Sequence, residues 1–170
     1  MFVGSINSKI RDLVYTEKDK FRESRVCVGC SGNFTVEQIL QGLGCEIWSN
    51  DISLYSSLVG CYLTGQTLNV HIQDARYEWI EPYIQDAGVG RIAAISLLFE
   101  MLKNEKGNNL NQIRMYAHYK ENFVAYHEKS CEKISLALGR INISDYTMRD
   151  VHELYKELPP EYVRIAFLPT

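Results

Sequence analysis

An α/β fold built on a parallel sheet is predicted by three observations along one stretch of chain. Val26-Cys27-Val28 is a short apolar run of strand type, and Gly29-Cys30-Ser31-Gly32 follows as a glycine turn. About twenty residues later, Trp48-Ser49-Asn50-Asp51-Ile52 reads as a second strand with an acidic tip. Strand, glycine turn, helix, strand and carboxylate is the order in which α/β proteins hold the nucleoside end of a cofactor.

Each element has its own justification. The two glycines remove Cβ atoms where the backbone must turn tightly and approach a ligand. Asn33 or Ser31 is placed to cap a helix through Val36, Ile39, Leu40 and Leu43, whose spacing of three and four gives one apolar face. Gly42 and Gly44 suit its C-terminus, and Cys45 to Trp48 supplies the second strand. Asp51 then sits at a strand's carboxyl end, within reach of two ribose hydroxyls. An ordinary strand-turn-helix of an α/β core is the alternative reading of these residues. A dinucleotide fingerprint needs a third glycine so that the helix can lie close over a pyrophosphate, and that position is Thr35. A cofactor without a pyrophosphate fits better. No Gly-Lys-Ser/Thr follows, which argues against nucleoside triphosphate chemistry.

Val28-Gly29-Cys30-Ser31-Gly32 resembles the first motif of S-adenosylmethionine-dependent methyltransferases, in which an aromatic or aliphatic residue precedes G-x-x-G or G-x-G. Asn50-Asp51 resembles their acidic second motif. The likeness is most specific for the DNA adenine methyltransferases, including anti-restriction enzymes of phages and mobile elements, across Gly32-Asn33-Phe34-Thr35-Val36-Glu37 and Ser49-Asn50-Asp51-Ile52-Ser53-Leu54-Tyr55. It implies a Rossmann-like methyltransferase sheet, here partial with about four parallel strands and a helical insertion. It also implies S-adenosyl-L-methionine as cofactor and adenine N6 of double-stranded DNA as target. The cofactor contacts implied are Val28, Gly29, Cys30, Ser31, Gly32, Asn50, Asp51 and Ile52. Gly29 and Gly32 would admit the methionine part and Asp51 would hold the ribose.

Ile141-Asn142-Ile143 reads as a third strand, followed by Asp145, Asp150 and a helix over Val151 to Leu158. In the family an acidic residue at this place accepts a hydrogen bond from the cofactor's adenine amine; Asp150 is the first choice and Asp145 the second. Val163 to Phe167 is a fourth strand. Phe167-Leu168-Pro169-Thr170 falls where the family carries Asp, Asn or Ser, then Pro-Pro and an aromatic. That motif holds a flipped-out adenine's weakly nucleophilic amine with a polar side chain while a ring stacks on the base. Here Phe167 replaces the polar residue, Leu168 the first proline and Thr170 the aromatic. Either catalysis draws on residues outside this chain or the activity has been lost.

A complete sheet of this family has about seven strands, so the chain reads as a cofactor-binding half. The strand at Val163 to Phe167 would then be an unpaired edge, inviting self-association or cover by a second protein segment. The organisation expected is 1–72 for an N-terminal helix and the cofactor-binding elements, 73–139 for a helical insertion, and 140–170 for the last two strands. Within the insertion Ile92, Ile95, Leu98, Phe99 and Leu102 recur at helical spacing. Gly107-Asn108-Asn109 breaks that run before a long stretch with Ile113, Tyr116, Ala117, Phe123, Ile134 and Leu138. Acidic and basic residues nearly balance there, so composition gives no phosphate-binding footprint. Arg114, Lys120, Lys129 and Lys133 could line one helix face, although a solvated surface is the plainer reading.

Tyr116, Tyr119, Phe123 and Tyr126 form an aromatic stripe that suits core packing better than stacking on nucleic acid. Cys27, Cys30, His127 and Cys131 offer four zinc-type donors, but the first pair is already explained by strand and turn, and no metal is expected. Ser5 to Arg25 reads as one amphipathic helical lead-in, with Ile6, Ile10, Leu13 and Val14 among charges. Five cysteines without a framework suggest reduced thiols. The N-terminus lacks a signal-peptide pattern and no apolar run approaches membrane-spanning length, so a cytoplasmic protein is expected, with no membrane partner. The net charge of -3 excludes a strongly basic nucleic-acid coat.

Two functions follow from the resemblance. One is an S-adenosylmethionine-dependent DNA adenine methyltransferase or its cofactor-binding fragment. The other is a catalytically inactive, methyltransferase-like module for binding or protein interaction. A nicotinamide oxidoreductase is disfavoured by Thr35 and by the lack of a second domain.

Overall fold

A computed structural model describes residues 8–105 and 109–166. The chain divides into two compact units, one holding the sheet, up to Gln66 and again from Leu138, and a helical one from Thr67 to Ala137.

The sheet unit has four parallel strands. They are β1 (Arg25–Val28), β2 (Glu46–Asn50), β3 (Asp145–Thr147) and β4 (Tyr162–Ile165), in the order β3-β2-β1-β4. The fold is α/β and Rossmann-like, as the sequence predicts. β1 is central, and Val26, Cys27 and Val28 are completely buried because both faces of an inner parallel strand are covered. The register sets Val26 beside Ile47 on one side and Val163 on the other. Cys27 packs with Leu154, Leu158, Trp48, Tyr155 and Tyr162, and burial pushes its thiol up to about 12. That thiol is a small apolar core group.

The helices of this unit are α1 (Ser8–Thr16), α2 (Lys18–Phe21), α3 (Thr35–Gln41), α4 (Leu54–Thr64) and α9 (Val151–Glu157). The single lead-in helix expected over Ser5 to Arg25 is two helices, parted at Glu17. Val14 is buried while its neighbour Leu13 is 54% exposed, so only one face of α1 is engaged; Ile6 lies outside the described residues.

The third strand is displaced from its expected place. Ile141 and Ile143 are buried, which gives them the alternation of a strand, but the ladder forms later, pairing Asp145 with Trp48, Ser49 with Tyr146 and Asn50 with Thr147. The approach is tied down by other bonds: Asn142 N donates to Gln41 Oε1, and Ser144 N and Oγ both donate to Ile47 O. What selects the register is Tyr146. Its ring is 1% exposed and lies over Gly60 of α4, where any Cβ would collide with it. Asp145 therefore opens the strand, at its amino end, and is not a residue of the carboxyl edge.

In the helical unit a 3-10 helix (Ala75–Ile80) leads into α5 (Glu81–Ile84), α6 (Val89–Glu105), α7 (Leu110–Glu121) and α8 (Phe123–Leu138). α6 buries Ile92, Ala93, Ala94, Ile95, Leu97, Leu98 and Met101, a nearly all-round apolar surface that marks it as the unit's core helix. Arg91, also buried, donates to the carbonyls of Leu68, Ile84 and Gln85 at 2.6 to 2.8 Å. The long stretch after Gly107-Asn108-Asn109 forms two helices parted at Asn122, which separates Arg114 and Lys120 on α7 from Lys129 and Lys133 on α8. These four cations share no single helix face. Phe123 is 3% exposed, with Trp79 and Tyr83 edge-on to it and His127 stacked on it, so this member of the aromatic stripe is a packing residue.

Candidate functional site

The carboxyl ends of β1, β2 and β3 converge through a dense set of hydrogen bonds. After Val28, Gly29 N donates to Ile165 O at 2.8 Å, and a Cβ at Gly29 would collide with the Tyr155 hydroxyl and with Val151. The absent side chain at Gly29 thus admits α9, whose Tyr155 hydroxyl also donates to Ile165 O at 2.6 Å. Gly32 is different. Its φ of +54° is a left-handed conformation that favours glycine, and a Cβ there would have nothing within 4 Å. The turn ends on Phe34, also left-handed at φ 57°, with its ring 1% exposed and its N–H bonded to Ser31 O. Phe34 is the helix N-cap and offers no side-chain cap, so the capping expected from Asn33 or Ser31 is replaced by this backbone-closed turn.

Asn50 is 1% exposed and every polar atom of its side chain is engaged. Nδ2 donates to the carbonyls of Gly29 and Arg149, and Oδ1 accepts from Thr147 Oγ1 and Arg149 N, all within 2.9 to 3.0 Å. It staples the turn after β1 to the loop after β3. Ser31 reinforces the staple from the other side, its N–H donating to Asn50 O at 3.1 Å.

Asp51 follows directly. Its Oδ2 accepts from Gly32 N and its Oδ1 from Ser53 N, each at 2.8 Å. An ionised carboxylate has about four lone-pair sites, so the side chain is oriented by two amides with acceptor capacity left on both oxygens. Tyr146 Oη donates to Asp51 O at 2.8 Å, and Ser56 Oγ donates to Gly32 O at 2.8 Å, which locks α4 to the turn. The Cys30 thiol is raised, first by burial and then by the Asp51 charge, which makes it a poor nucleophile.

Two large apolar side chains stand exposed at adjacent strand ends, Ile52 at 74% and Met148 at 44%. Both follow the last ladder pair, Asn50 with Thr147, Ile52 by two residues and Met148 by one. Asp150 is exposed and caps α9, its Oδ1 accepting from His152 N and Glu153 N. Beneath the turn, Glu37 is completely buried, with Ser49 Oγ donating to its Oε1 at 3.0 Å. Burial pushes this carboxyl up to about 7.

The structure therefore brings together Val28, Gly29, Cys30, Ser31, Gly32, Asn50, Asp51 and Ile52, with Asp150 on the neighbouring loop. Asp145 is set apart from them. Phe167, Leu168, Pro169 and Thr170 lie outside the described residues. Sequence reasoning missed Ser56, Tyr146 and Met148, and named Ser53 and Glu37 only within the segments that carry the resemblance, without a role; Glu37 left a further signal, a charged residue beside the apolar run Val36, Ile39 and Leu40. Of the four zinc-type donors, Cys27 and Cys30 belong to the sheet unit and His127 and Cys131 to the helical unit. Among the described residues no group of three or more His, Cys, Asp or Glu is placed to hold a metal.

A parallel sheet with a glycine turn and an oriented carboxylate at its carboxyl edge defines the Rossmann-like class of α/β domain. Within that class the chain belongs to the family described as Phage DNA Adenine Methylase-like domain 1, whose model matches residues 2–170. Comparison with curated proteins and with solved structures gave no match.

Proposed function

We propose that the chain binds S-adenosyl-L-methionine at the carboxyl ends of β1 to β3 and acts as the cofactor-binding part of an adenine N6 DNA methyltransferase. The observation that carries this reading is the Asp51 carboxylate, oriented by Gly32 N and Ser53 N with acceptor capacity remaining. It suits the paired hydroxyls of a ribose. The open space at Gly32 suits the methionine part, with Val28, Gly29, Cys30 and Ser31 shaping the turn. Ile52 and Met148 offer apolar surface for the adenine ring, and the Asp150 carboxylate has acceptor capacity beyond its two bonds to α9 for the adenine amine. Asn50 positions these loops.

When bound, the cofactor supplies an electrophilic methyl group on a sulfonium. This chain's residues orient it: Asp51 fixes the ribose, the turn fixes the methionine end, and no metal is required. Double-stranded DNA is the substrate on this reading. The segment Phe167 to Thr170 would lie beside the extruded base, and the polar group that holds the amine would come from a further segment. The cytoplasm is the compartment implied, in a phage anti-restriction setting; among the described residues no helix is long and apolar enough to cross a membrane.

An inactive binding or interaction module is the second reading, and of the two sheet edges the one at β4 favours keeping it. β3 is three residues long and blunted, since Gln66 Nε2 donates to Tyr146 O and Tyr146 N to its own neighbour Asp145. β4 has β1 on one side, no described strand on the other, and half-buried Val163 and Ile165. A second protein segment or a second copy covering this edge would fit either reading.

Titration with S-adenosylmethionine and with NAD tests the cofactor: binding of the first alone is expected, and binding of NAD alone would overturn the proposal. Methyl transfer to unmethylated duplex DNA separates enzyme from module.

A further inference from the structure

One buried group of the sheet unit has no part in the reading above. Glu37 is 0% exposed, and its Oε2 has no hydrogen-bond partner among the described residues. A carboxyl in such a place costs stability that an apolar side chain of similar volume would not. The groups that face it are the Ser31 hydroxyl from the turn, the Ser49 hydroxyl from β2, the Asp51 carboxylate and Tyr146 from β3. No lysine or arginine is among them.

Glu37, in the first turn of α3 and bonded to Ser49 of β2, thus lies near enough to Asp51 for that charge to raise it further, the first carboxyl desolvated and the second half-buried. In a medium of low effective dielectric a charge acts strongly over several ångströms. A ligand that brings a positive charge to the turn stabilises the ionised form of Glu37, whereas a neutral ligand of the same shape does not.

We propose that Glu37 selects the charge of the ligand, making the turn favour a sulfonium cofactor over the neutral thioether that remains after methyl transfer. The inference rests on the S-adenosylmethionine reading. Its consequence is that loss of the methyl group weakens the product's hold on the site. Because a cation favours ionised Glu37, sulfonium binding expels a proton when Glu37 is protonated in the free chain. Affinity for the cation then rises with pH and levels off once Glu37 is ionised without ligand. The thioether lacks this extra dependence.

The test is calorimetric titration of the full chain with S-adenosylmethionine and with S-adenosylhomocysteine between pH 5.5 and 8.5, for the wild type and for Glu37→Gln. The expected result is a preference for the sulfonium that grows at least about fivefold over this range in the wild type and stays flat in Glu37→Gln. Buffers of different ionisation enthalpy give a second measurement on the wild type alone, where more protons should be released by the sulfonium than by the thioether near neutral pH. A preference equally pH-dependent in both proteins, or equal proton release by both ligands, overturns the role of Glu37 and leaves the cofactor site standing. Failure of a folded wild type to bind either ligand overturns both.

Discussion

The carboxyl edge of the sheet and the cluster that Arg91 of α6 gathers are both built around buried polar groups, and they are built to different ends. At Arg91 three donors meet three main-chain carbonyls of the helical unit, those of Leu68, of Ile84 at the end of α5 and of Gln85 just after it, which ties the unit to itself. At Asp51 two main-chain amides orient a carboxylate that remains half-buried and can still accept. The first arrangement uses all its donors within the chain; the second leaves acceptor capacity unused. Burial of polar side chains alone does not mark a site, whereas an oriented group with unused capacity does.

The two regions should respond differently to mutation, most strongly at Arg91. Arg91→Met leaves three main-chain carbonyls, that of Ile84 on a buried residue, without their donors and should destabilise the protein by about 3 kcal/mol, read by urea unfolding, while cofactor affinity in the remaining folded protein stays unchanged. A loss of affinity as large as the loss of stability would dissolve the distinction. Glu37 offers a second probe, through pH. Its folded pKa is raised above the unfolded value, so the native state holds the proton more tightly and stability is greatest below pH 4.5. This contribution falls as pH rises from 4.5 toward about 7 and is constant above. Glu37→Gln should flatten that slope in thermal melts, and an unchanged slope would remove Glu37 from the account.

Two glycine substitutions sharpen the contrast within the turn. Gly29→Ala should cost about 2 kcal/mol by overpacking against Tyr155 and Val151. In a double-mutant cycle with Val151→Ala, part of that loss should be recovered. Gly32→Ala meets no neighbour and should cost only about 1 kcal/mol of backbone strain. If Gly32→Ala proved the more damaging of the two, Gly32 would not border open space.

The segment from Val26 to Asp51 was legible in the sequence because its logic is local: an apolar run, a glycine turn, an amphipathic helix and a strand ending in a carboxylate. What escaped depends on residues far apart in the chain. Ile141 and Ile143 carry a strand's alternation, but the register is chosen by Tyr146 fitting over Gly60, which a sequence pattern does not reveal. Asn50 read as a ligand contact, and only its bonds to Thr147 and Arg149 identify it as a staple. Gly29 and Gly32 looked equivalent, yet one makes room for α9 and the other takes up a left-handed turn. Phe34 hid the end of that turn, since nothing in a phenylalanine announces a positive φ.

Calorimetric titration with S-adenosylhomocysteine decides whether Asp51 and the turn at Gly32 form a site for the adenosyl cofactor. It needs neither a DNA target nor a complete catalytic loop. The account predicts one-to-one binding in the micromolar range, weakened by about 1 to 3 kcal/mol in a folded Asp51→Ala variant through loss of charge-assisted hydrogen bonds. Equal affinity in wild type and Asp51→Ala, or no binding by a folded chain, would contradict it.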